Sequence, residues 1–134
     1  MKMIKPVLNK LSSLSLLLLL CLFANTVIAD EEAETIAEIM QMTETPDGVV
    51  FELIGSEDSD YLPNGLKKIE AYKKQLQGKF PKLDIAVVSH GAEQFELTKD
   101  SANTEKESHQ RVQLLVAADV PVHICETHAS GRGV

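Results

Sequence analysis

Leu83-Asp84-Ile85-Ala86-Val87-Val88, followed at once by Ser89-His90-Gly91, reads as a buried strand that ends in a turn. A short apolar, β-branched run bounded by turn formers is the pattern of a strand in a parallel sheet with helices over both faces. Two further runs match it: residues 49–54, closed by Gly55-Ser56, and residues 120–125. In the last of these Pro121 is tolerable only near a strand start or on an edge. Between the first two runs, Leu62, Leu66, Ile69, Tyr72 and Leu76 recur in steps of three and four, which predicts a helix stopped by Gly78 and Pro81. Between the second and third, Thr104-Glu105-Lys106-Glu107 reads as a capping box opening a helix that buries Val112, Leu115 and Val116. Strands alternating with helices of this length give an α/β fold: a βαβαβ unit with right-handed crossovers and a parallel sheet.

Outward from this core, Ala33, Ile36, Ala37 and Met40 fall on one face of an amphipathic lead-in helix. Thr43-Glu44-Thr45-Pro46-Asp47-Gly48 follows as a turn or linker. Ahead of both, Lys2, Lys5 and Lys10 precede an apolar run at residues 14–23, and Val27-Ile28-Ala29 leads into Asp30-Glu31-Glu32. A charged head, a short greasy middle and a small-residue exit make a secretory signal. The run is too short for a membrane span, which needs about 20 apolar residues. The chain therefore divides into a signal peptide at 1–29, a lead-in helix and linker at 30–47 and an α/β domain at 48–134. It would be secreted or periplasmic, with no membrane association after cleavage.

Cleavage takes away three of the 13 basic residues and no acid, carrying the formal net charge from −7 to about −10. A chain so acidic has no surface for nucleic acid or anionic lipid, each of which needs a basic patch. Lys67, Lys68, Lys73 and Lys74 form the wet face of a helix instead. Of the two cysteines only Cys125 lies beyond the signal, so no intrachain disulfide can form. No cofactor motif is present.

In open parallel sheets ligands collect beyond the carboxyl ends of the strands. Those ends carry Gly55-Ser56-Glu57, Ser89-His90-Gly91-Ala92 and Cys125-Glu126-Thr127-His128. Cys125 would sit where a strand turns into a helix, with amides that favour an anion; the thiolate is the nucleophilic form of a cysteine. His90 and His128 are the candidate partners of that thiol. Set against this, a cysteine ending an apolar strand also serves as a small core residue. A metal alternative uses His123, Cys125 and His128, ligands soft enough for zinc or copper but not in a closed zinc spacing.

Three blocks then resemble the DsrE/DsrF-like (YchN-like) sulfur-relay family, in particular its exported, uncharacterised branch. They are Val49-Val50-Phe51-Glu52-Leu53-Ile54-Gly55, then Ile85-Ala86-Val87-Val88-Ser89-His90-Gly91-Ala92-Glu93-Gln94-Phe95, then Val120-Pro121-Val122-His123-Ile124-Cys125 with Thr127-His128-Ala129. The resemblance implies a three-layer flavodoxin-like domain, assembled as trimers or hexamers. It also implies a persulfide-bearing cysteine after the third strand, where Cys125 falls, served by a sulfur donor or acceptor protein. Two features depart from the family. Its domains continue for several more elements, so the chain is expected to be incomplete at its C-terminus, and Glu126 stands where a small residue is expected. Two functions follow as expectations: sulfur handling through a persulfide on Cys125, or a non-enzymatic oligomeric binding module for a metal or small ligand on the same fold.

Overall fold

The computed structural model describes residues 31–56, 58 and 60–131. The expected signal segment and cleavage site lie outside them, as does Glu57, and His128 is described by its helical backbone alone. Among the described residues no helix is long and apolar enough to cross a membrane.

The three expected strands are present as β1 (Val49–Leu53), β2 (Ile85–Ser89) and β3 (Val122–Ile124). They form one parallel sheet in the order β1-β2-β3. Val49 lies opposite Ile85 and Leu53 opposite Ser89; on the other side of β2, Val87 lies opposite Val122 and Ser89 opposite Ile124. The helices are α1 (Glu31–Ile39), α2 (Tyr61–Lys79), α3 (Lys106–Ala117) and the short α4 (Glu126–Gly131), with 3₁₀ turns at Ala92–Leu97 and Asp100–Asn103. The α/β class read from the sequence is thus the observed one.

Leu62, Leu66, Ile69 and Leu76 form the buried stripe of α2, as their spacing requires. They meet Leu53, Ile85, Val87, Leu115 and Val120 in one aliphatic core, which Ile36 of α1 joins. The rings of Phe51 and Tyr72 stack at its margin, 6.1 Å apart and 6° from parallel. Gly65 lets α2 lie close on β1, because a Cβ there would stand 2.9 Å from Leu53 Cδ2.

Two connections of one hand that step the same way across a sheet put both helices on one face. Accordingly α2 and α3 pack against each other, and the Arg111 guanidinium donates to both oxygens of Glu70 at 3.1 and 3.0 Å. The odd-numbered side chains of β1 and β2 enter this helical layer. The even-numbered ones do not: Val50 and Ile54 are 65% and 60% exposed. The apolar runs therefore do not mark two-sided cover among the described residues, and the open face stays rich in Val, Ile and Ala.

Two local expectations are corrected. No side chain caps α3: Glu105 stands at its N-cap, while the Thr104 hydroxyl donates instead to the Ser101 carbonyl at 2.9 Å. The preceding 3₁₀ turn has already claimed that threonine. Nor does Val116 enter the core, being 53% exposed; the buried stripe runs through Ser108, Val112 and Leu115, and the flank with Leu114 and Val116 faces solvent.

Candidate functional site

The carboxyl ends of the strands are sewn together by backbone bonds before any side chain acts. His90 N–H donates to the Leu53 carbonyl (3.0 Å), Ala92 N–H to that of Gly55 (2.8 Å), and Cys125 N–H to that of Ser89 (3.0 Å). Ile54, His90 and Cys125 each stand one residue past the last paired row, Leu53–Ser89–Ile124. Glu52, Val88 and His123 form the row before it. The Glu52–Val88–His123 row belongs to the open face.

Cys125 is a half-buried free thiol. Its carbonyl accepts from Ala129 N–H at 3.0 Å, so it stands at the start of α4, the strand-to-helix position read from the sequence. The ring of His90 is held by Glu52, Nε2 to Oε1, at 2.8 Å. His123 is exposed. His128 lies in α4, but its ring is outside the described atoms, so the structure places His90 and Cys125 at the ends of adjacent strands and leaves the third member of the trio unassigned. Among the described residues no group of three or more His, Cys, Asp or Glu is arranged to hold a metal ion.

At the same end of the sheet lies a feature that the sequence reading missed. Glu93 is 0% exposed. One of its oxygens accepts from the Ser89 hydroxyl (2.7 Å) and Gly91 N–H (3.1 Å), the other from Gly55 N–H (2.6 Å). A single carboxylate thus clamps the loops that follow β1 and β2. Gly91 is required there, since a Cβ would run into Glu93 Oε2 and the Gly55 nitrogen.

Glu96 follows three residues later on the same 3₁₀ turn, and at three residues per turn both carboxylates project to one side. It is 8% exposed. The Ser108 hydroxyl donates to Oε2 at 3.2 Å, while Oε1 has no hydrogen-bond partner among the described residues. Burial pushes Glu96 up to about 6; the Ser108 bond works against the rise, and the charges of Glu105, Glu93 and Asp58 add to it. The signal for the pair was the spacing Glu93-x-x-Glu96, legible only once the segment is known to be 3₁₀ and turned inward.

Clefts open elsewhere on the described surface. One, of about 400 Å³, runs beside β1 and the first half of α2. Another, of about 260 Å³, lies at the amino ends of the strands. Cys125 and His90 line neither of these two. No family model matches the chain, and neither a curated protein nor a solved structure matches it.

Proposed function

We propose that the chain is an exported sulfur-handling protein that accepts or relays sulfane sulfur as a persulfide on Cys125. The observation that carries this reading is the arrangement at the carboxyl end of the sheet. There the free thiol Cys125 follows the last residue of β3, and on the adjacent strand His90, whose imidazole is held by Glu52 at 2.8 Å, follows the last residue of β2. In the reaction, His90 takes the thiol proton and the Cys125 thiolate attacks the outer sulfur of a polysulfide or persulfide donor. A new S–S bond forms at Sγ, the donor S–S bond breaks, and the donor leaves as a thiolate with the electron pair. No second cysteine and no net redox change are needed. The resemblance to the DsrE-like family supports the same assignment, and with it a homo-oligomer and a protein donor or acceptor.

The test is to incubate protein recovered from the exported fraction, and its Cys125→Ser variant, with polysulfide, then alkylate and weigh both. One added sulfur on the parent alone is expected, on a chain that begins at Asp30. Equal masses for parent and variant would refute the persulfide. A second reading, a non-enzymatic oligomeric periplasmic module that binds a metal or small ligand, draws on the exposed Val50 and Ile54 of the open face. It predicts an inert thiol in the same assay.

A further inference from the structure

We infer that the cleft beside β1 is a docking groove for an extended, basic peptide segment of a partner protein, which adds to the sheet as a fourth strand. Among the described residues β1 is an edge strand. Its bonds to β2 and the loops beyond run through Val49 N–H and the carbonyls of Leu53 and Gly55. In a parallel ladder successive residues alternate sides, so the N–H and C=O groups of Val50 and Glu52 point away from β2, along the open edge. An edge of this kind accepts a peptide strand through main-chain hydrogen bonds, and side-chain pockets decide which peptide.

The pocket here is acidic with an aromatic floor. Glu32, Glu52, Asp58 and Asp60 line it, together with the stacked rings of Phe51 and Tyr72. One cation of the chain already shows how such a group is received: the Lys68 ammonium lies 2.7 Å from Glu32 Oε2 and 5.8 Å from the Tyr72 ring centre. Asp58 and Asp60 line the same cleft, with carboxylates to offer to a lysine or arginine of the incoming strand. A second copy of this chain is the poorer occupant. Its formal charge is −7, and edge-to-edge pairing would set one acidic edge against another.

Fluorescence anisotropy with the purified protein tests the groove, using a labelled peptide that alternates Lys or Arg with Val or Thr. The basic peptide should bind. The Asp58→Asn/Asp60→Asn variant, whose asparagines keep the turn chemistry at the start of α2, should bind it about tenfold more weakly. Asp84→Asn/Asp119→Asn, with the same charge change at the opposite end of the sheet, should retain affinity. A peptide of the same charge with proline at alternate positions cannot complete the ladder and should fail. Equal binding by both double variants, or by the proline peptide, would overturn the proposal, as would full competition by arginine methyl ester, which would mark a small-cation site. Sedimentation as an edge-paired dimer that excludes the peptide would assign the edge to a second copy and equally overturn it. None of these readouts depends on Cys125.

Discussion

Glu96 carries a buried charge that the fold only half accommodates. One oxygen has Ser108 and the other has no partner among the described residues, while Glu93, Asp58 and Glu105 face it from the same turn, the loop before α2 and the start of α3. His109 approaches the Glu96 carbonyl (3.1 Å), not its carboxylate. The group's ordinary value of 4.5 rises to about 6 in the fold. The folded chain thus holds a proton that the unfolded chain has already released. The Glu96 contribution to stability is fully present below about pH 4.5 and is lost as pH rises through about 6, a loss of about 2 kcal/mol. Glu96→Gln should therefore be more stable than the parent at pH 8, with the advantage vanishing near pH 4. Urea midpoints at the two pH values check this; an equal offset at both would show that packing, not ionisation, separates the variants.

At the scale of elements, the end of α3 is a Schellman closure. Val120 N–H reaches back to the Leu115 carbonyl (3.0 Å) and Asp119 N–H to that of Val116 (3.2 Å), while Val120 and Leu115 enter the core side by side. The turn requires a left-handed residue, and Asp119 takes it with φ 59. An L side chain pays for that conformation, and a carboxylate at a helix C-terminus adds unfavourable charge. Asp119→Gly should raise the unfolding midpoint by about 1 kcal/mol in stability, and Asp119→Ala should lower it. Thermal or urea unfolding decides; a glycine variant less stable than the parent would show that the Asp119 side chain contributes more than its backbone costs.

For the molecule as a whole, the consequential feature is the asymmetry of the sheet. One face carries α2 and α3, and the other leaves Val50 and Ile54 in solvent. Single exposed apolar residues are ordinary, but a strand face with this composition fits burial between subunits. Under the proposed oligomeric state the protein should sediment as a multimer, and Val50→Lys/Ile54→Lys should release monomers of unchanged helical content. Concentration-independent monomers of the parent would remove the homo-oligomer from the proposal. The face and the edge of β1 are separate surfaces, so this result leaves the peptide groove untouched.

The strands, the stripe of α2 and the placement of Cys125 at a strand-to-helix junction were all legible because they rest on local periodicity. Leu62, Leu66, Ile69 and Leu76 must share a helix face wherever that helix docks. The pattern of Ile85, Val87 and Ser89 against Ala86 and Val88 was not legible, since all but the serine are apolar and only the packing of α2 and α3 on the same side separates inward from outward. The same holds for Glu93 and Glu96. An acidic residue in a polar loop reads as solvated, and its burial depends on Gly55 and Gly91 arriving from two different strands to surround it with amide donors. Periodicity along the chain determines which side chains travel together; which of them lose water depends on what another part of the chain lays over them, and that is decided only by the tertiary structure.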